Sequence, residues 1–272
     1  MSSADFTTLV RSSPSEGDRS GPSGDRRSSP SYRTRTAYAA GRAGAGGRIW
    51  AACKHVNYRI GQLLGRFVFF QTMNAEVVRP QAAERAGGYV LAPTHLSHLE
   101  PFCLTTLIRR KVDWMARVEF YRHWWAAAIL YAMGAFPVNR TGVPVSAIRT
   151  AIARTRAGRI VGIFPEGGVA VGAQSACRGG AVKKGAFLVA HRANVPVLPC
   201  VVLGTYDLNE VKPWLPFKNA RIWVIYGRPI YPNENATGRQ ARQELAAQWQ
   251  AQVRELYDEL RGIYGIPDSD VP

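Results

Sequence analysis

The chain has 272 residues, 46% of them hydrophobic, with a formal net charge of +16 and a pI near 10.2. That length and apolar content fit one large domain with a real core plus a tail, and the charge asks for an anionic partner: phospholipid surface, phosphorylated substrate, coenzyme A or nucleic acid. Cys53, Cys103, Cys177 and Cys200 have neither CxxC pairing nor zinc spacing, so no metal is implied and the thiols read as buried groups in a reducing compartment.

Residues 1–47 are dominated by Ser, Gly, Arg, Pro and Ala. Too few large apolar residues occur there to offset the entropy of ordering, which predicts a disordered basic tail. From 48 to 66 the pattern changes. Ile49, Trp50, Val56, Ile60, Leu63, Leu64 and Phe67 recur every three or four residues, while Arg48, Lys54, Arg59 and Arg66 largely avoid that stripe. This predicts an amphipathic interfacial helix that lies on lipid, with packing against a core as the competing explanation. No run of eighteen apolar residues and no apolar h-region appear, so neither a span nor a secretory signal is expected. Short strands are expected over Phe67–Phe70 and Glu76–Arg79, within a folded domain running from 67 to 272.

The stretch Gly88–Phe102 organises the rest. Val90, Leu91 and Ala92 end a short buried strand, and Pro93 and Thr94 terminate it, leaving His95 in a loop at a strand end, where α/β proteins place chemistry. Glu100 follows five residues later. In a continuous helix the two side chains would stand about 140° apart, so they meet only if the chain between them curls. Pro101 supports a helix entrance there, with Glu100 accepting one imidazole N–H and leaving the other ring nitrogen as a base. His-x4-Glu alone is common by chance, and His98 reads as a loop or surface residue.

Downstream, a helix after Leu104, a strand over Val112–Ala116 and a helix over Tyr121–Met133 alternate as βα units do. The fold class expected is α/β, a largely parallel central sheet flanked by helices. Gly134 to Arg140 leaves a further strand, and Pro144–Ala157 is a helix whose Arg149, Arg154 and Arg156 are expected to be solvated. A strand over Ile160–Phe164 runs into Pro165-Glu166-Gly167-Gly168. The strand Val195–Leu203 carries prolines that imply an edge or irregular position. An exposed apolar loop, Trp214 to Phe217, a last strand over Arg221–Tyr226 and a helix over Arg239–Gly262 with Leu245, Trp249, Val253, Leu256 and Leu260 on one face complete the chain.

Four ordered blocks, His95 to Glu100, Gly134 to Arg140, Phe164 to Gly168 and Val195 to Pro199, resemble the glycerolipid acyltransferase family, which includes bacterial 1-acyl-glycerol-3-phosphate acyltransferases. The resemblance covers about Val68 to Tyr231. It implies His95 and Glu100 as catalytic base and orienting acid, and Arg140, Glu166 and Gly167 as substrate-binding residues. Ala116 to Phe120 is similar to a basic-x-Glu-apolar stretch, with Arg117 in the basic place. Trp124, Trp125, Ile129 and Leu130 would line an acyl tunnel, touch the bilayer, or simply pack a core helix.

The sequence departs from the family twice. Glu100 and Thr94 stand where Asp and Asn are usual, giving HX4E for HX4D, and Gly168 and Val169 replace a Thr-Arg pair. Arg178, Lys183 or Lys184 is the expected source of the missing charge, with Arg178 and Lys183 taken as substrate-binding. The resemblance implies acyl transfer from acyl-CoA or acyl carrier protein, as co-substrate with no cofactor, to a lysophospholipid such as 1-acyl-glycerol-3-phosphate. The expected setting is peripheral or monotopic, on an anionic membrane surface at the cytoplasmic face. Backbone N–H groups near Pro101 are the expected oxyanion donors. The competing readings are an acyltransferase for another lysolipid, a non-catalytic lipid-binding relative, and a nucleic-acid binder, for which no motif is present.

Overall fold

The computed structural model describes residues 56, 58–65, 67, 73–132, 134–139, 144–205 and 220–267. The expected basic tail and the loop 214–217 lie outside the described residues, as does Cys53. Among the described residues the strands are β1 (Met73–Val78), β2 (Tyr89–Pro93), β3 (Val112–Arg117), β4 (Phe136–Val138), β5 (Ile160–Gly162), β6 (Val197–Leu203) and β7 (Ala220–Tyr226). They form one sheet in the order β1-β7-β6-β2-β5-β3-β4, with every pair parallel except β6 with β7. The helices are α1 (Glu100–Leu107), α2 (Trp124–Ala132), α3 (Val145–Arg156), α4 (Gly185–Ala193) and α5 (Gly238–Tyr264), beside further helical residues between 56 and 67.

Alternation along the strands sends side chains to two cores. Val90, Ala92, Val161, Val201 and Ile225 join α4 and α5 residues such as Phe187, Leu245, Trp249 and Val253 on one face. Tyr89, Leu91, Val112, Trp114, Leu198 and Val224 join Leu104 and Ile108 at α1 on the other. Burial on both faces is why β2 and β6 read as unbroken apolar runs rather than alternating ones. The apolar face predicted for the last helix is the buried face of α5, and a Thr237/Gln240 capping box starts that helix.

Three expectations change. Phe67 is helical and the first strand begins at Met73, so no strand forms at Phe67. The prolines of β6 do not put it at an edge, since it lies between β2 and β7. Pro199 turns its backbone toward β7 just beyond the last paired residue there, Tyr226, and accepts the Gly227 N–H at 2.9 Å, so the missing donor is not asked for on the β2 side. Arg154 is not solvated. It pairs with fully buried Asp113 at 3.3 Å, donates to the Gly134 carbonyl and lies over the Phe136 ring, while Arg159 holds the same carboxylate. A buried carboxylate needs such partners.

The residues between 56 and 67 decide the question left by their periodicity. At about 100° per residue, Val56, Ile60, Leu63, Leu64 and Phe67 share one face, and all five are at least half exposed. Tyr58 and Gln62, on the opposite face, are buried against the protein. The helix therefore docks by its polar and aromatic side and turns its apolar stripe outward. No helix among the described residues is long and apolar enough to cross a membrane.

Candidate active site

Parallel register builds the site. Leu91 lies beside Gly162 on β5, so four residues on in each chain His95 meets Glu166; Pro93 lies beside Cys200 on β6, so the chain beyond β6 brings Thr205 to the same edge. Thr94 continues the edge of the sheet, giving its N–H to the Cys200 carbonyl and accepting the Val202 N–H on its hydroxyl.

The chain between His95 and Glu100 curls as the spacing required. His95 Nδ1 lies 2.8 Å from Glu100 Oε2, while Glu100 Oε1 accepts the N–H groups of Leu96 (2.7 Å) and Ser97 (3.2 Å) and the hydroxyl of Thr205 (2.8 Å). The acid thus wraps its own connecting loop around itself. Glu100 is fully buried, and burial pushes its carboxyl up against the lowering contributions of the imidazole, the Leu96 amide and the Thr205 hydroxyl. The imidazole stays 13% exposed and stacks on Phe164 at 4.0 Å, which stacks on Trp114 at 5.3 Å. With Nδ1–H given to Glu100, Nε2 keeps its lone pair.

Glu166 is spent on backbone. Its Oε2 accepts the His95 N–H at 2.5 Å and its Oε1 accepts the Ala176 N–H at 2.7 Å, so it pins the dyad loop to the 3-10 turn Ala176–Arg178; the Ala170 N–H to His95 carbonyl bond closes the same junction. Burial pushes the Glu166 carboxyl up to about 7, opposed by the Ala176 and His95 amides, with the nearby Glu100 charge adding to the rise. Its unfolded counterpart titrates near 4.3. Between these values the folded chain holds a proton the unfolded chain has released, so stability falls as pH climbs from about 4.5 to about 7. Glu166→Gln is expected to remove on the order of 2 kcal/mol of that slope, seen by urea unfolding of both proteins at pH 5 and pH 8.

Gly167 adopts φ +75°, and a Cβ there would meet the Lys183 side chain at 2.5 to 2.8 Å, so only glycine lets Lys183 lie across it. Both residues line an open cleft of about 430 Å³ with Gly168, Val169, Ala170 and Gln174. Arg178 is exposed and is not among the residues lining that cleft. Arg140 lies outside the described residues; the strand before it, β4, ends at Val138 beside Arg117 of β3. His98 sets its ring edge-on to His95 at 6.1 Å, and partial burial, then the charges of His95 and Arg117, lower its pKa. His98 is, as its sequence position implies, an exposed turn residue beside the dyad.

The amides at the start of α1 do not serve as oxyanion donors. Those of Leu96 and Ser97 are taken by Glu100, that of Leu99 by the Ser97 hydroxyl, that of Glu100 by the Ser97 carbonyl, and those of Phe102 and Cys103 by the Leu99 carbonyl; Pro101 has none. Buried Cys103 and Cys177 carry thiols pushed up to about 12 by burial, unlike nucleophilic cysteines. Thr205 and Phe164 escaped the sequence reading as site residues, because nothing local marks a threonine or a strand-end phenylalanine as a partner of the dyad.

A family model described as Acyltransferase matches residues 74–203, the span from β1 to the end of β6. The chain is 28% identical over 177 residues to the 1-acyl-sn-glycerol-3-phosphate acyltransferase of Bacillus subtilis (strain 168), a match covering 64% of this chain and 83% of that protein. The crystal structure of the 1-acyl-sn-glycerophosphate (LPA) acyltransferase PlsC from Thermotoga maritima has the same fold, with a TM-score of 0.55 at 18% identity, over 80% of this chain and 84% of that one. Sequence blocks and the matched family model agree on an O-acyltransferase domain over residues 74–203, and the Thermotoga maritima structure shares its fold.

Proposed function

We propose that the protein transfers an acyl chain from acyl-CoA or acyl carrier protein to the free hydroxyl of a lysophospholipid, with 1-acyl-glycerol-3-phosphate as acceptor and phosphatidate as product. The observation carrying this reading is the buried Glu100 carboxylate on His95 Nδ1, which leaves Nε2 to take the acceptor's hydroxyl proton. The hydroxyl oxygen then attacks the thioester carbon, the carbon–sulfur bond breaks, and the proton held on His95 passes to the departing thiolate. No acyl-enzyme and no cofactor is needed.

Lys183, lying across Gly167, replaces the charge lost with the Thr-Arg pair and holds the acceptor phosphate together with Arg140. Gly168 and Val169 line the same cleft. Glu166 acts through the backbone it pins rather than on the acceptor's hydroxyls. Purified protein given one acyl-CoA and a panel of lysolipids in vesicles tests the assignment: CoA release with lysophosphatidate, and phosphatidate as product, are expected. Lipid binding without CoA release for any acceptor would favour the non-catalytic relative.

The outward stripe Val56, Ile60, Leu63, Leu64 and Phe67, with Trp124 at 83% exposure, supports docking on a bilayer, and the net charge of +16 favours an anionic one; the cytoplasmic face is part of the proposal. Burying two leucines is worth at least about 1.4 kcal/mol, a tenfold change in partition. Replacing Leu63 and Leu64 together by glutamate is expected to cut binding to phosphatidylglycerol vesicles at least about tenfold in co-sedimentation, without lowering the melting temperature.

A further inference from the structure

The outward-facing helix is held to the protein by Tyr58, whose hydroxyl accepts the Val112 N–H, by Arg59, which donates to the Arg109 carbonyl, and by Gln62, which alone among these reaches the end of α1. Gln62, 5% exposed, donates both hydrogens of its amide, to the carbonyls of Thr105 (2.9 Å) and Ile108 (2.7 Å), and its amide oxygen accepts from Arg59 Nη1 at 3.2 Å. These carbonyls end α1, where the helix cannot satisfy them itself. At the other end of α1 stands Glu100. A helix this short moves as a rigid rod of about 12 Å.

A second route starts from the same residue. The Thr105 hydroxyl accepts the Trp114 indole N–H at 2.8 Å, and Trp114 stacks on Phe164, which stacks on His95. Gly162 leaves the indole its space, since a Cβ there would come within 2.3 Å of the ring. Both members of the dyad are therefore braced from the Thr105 end of α1.

We propose that Gln62 is a positioning residue, which ties the lipid-facing helix to the C-terminal end of α1 and so fixes Glu100 against His95; the role depends on the acyl-transfer reading above. The chemistry demands a donor, because both partners are carbonyls. Methionine matches the length of glutamine and donates nothing, whereas lysine restores donors at similar reach.

The full chain and its Gln62→Met and Gln62→Lys variants are assayed for kcat and KM with acyl-CoA and lysophosphatidate in vesicles, alongside vesicle co-sedimentation and melting. Gln62→Met is expected to lose about tenfold in kcat, with both KM values and vesicle binding within twofold of the parent, and Gln62→Lys to recover most of the loss. Unchanged kcat in Gln62→Met overturns the proposal, even if melting falls, as does a loss that tracks vesicle binding. Should Gln62→Met not fold, Gln62→Asn, one methylene too short to reach both carbonyls, takes its place with the same expected split, and parental kcat there is equally decisive. Inactive parent protein would strike at the acyl-transfer reading instead.

Discussion

His95→Ala is expected to lower kcat for acyl transfer by about 10² to 10⁴-fold, the range a positioned general base contributes, while KM for acyl-CoA changes little. The imidazole is partly exposed and its backbone is pinned independently by Glu166 and Ala170, so truncation at Cβ leaves the loop in place. The loss should therefore come without unfolding. The check is steady-state CoA release with lysophosphatidate, together with far-UV circular dichroism and a melting curve. Activity within threefold of the parent, in a folded variant, would sink the role given to this residue.

Glu100→Gln is expected to be nearly as damaging for a different reason. The carboxylate accepts from four donors: the His95 ring, the Leu96 and Ser97 amides and the Thr205 hydroxyl. A glutamine keeps its carbonyl toward the amides and turns its NH2 toward Nδ1. That forces Nδ1 to accept, puts the ring proton on Nε2 and removes the base, an inversion that costs up to about 10⁴-fold in kcat. Glu100→Ala goes further and leaves those donors buried without a partner, at about 1 to 3 kcal/mol each, so it is expected to destabilise the fold as well as abolish turnover. Glu100→Asp brings in the family's usual acid one methylene shorter. In a site built around the longer side chain it cannot reach all four donors, and a smaller loss is expected. Comparing kcat and urea midpoints across the three variants separates tautomer control from packing.

Much of the dyad was written locally. Strand residues ending at Pro93, a polar loop, a proline at the helix entrance and an acid five residues beyond the histidine are features of fifteen consecutive residues, and short-range sterics decide them. Other features depended on packing. The periodicity of residues 48–66 marked an apolar face but not its direction, because a stripe reads the same whether it meets a core or a bilayer. Arg154 looked like one more surface arginine until Asp113 appeared beneath it.

By itself the sequence determined the alternation of strands and helices, which follows from side-chain period and turn chemistry within a short window, while the pairing of His95 with Glu100 was legible through four ordered blocks resembling a family. Only the tertiary structure decided that Glu166, 71 residues away, holds the His95 backbone, that Thr205, 105 residues from Glu100, completes the acid's shell, and that the apolar stripe faces outward. The physical reason is parallel pairing: it brings distant strand ends to one edge by register, and no local pattern encodes which strands will be neighbours.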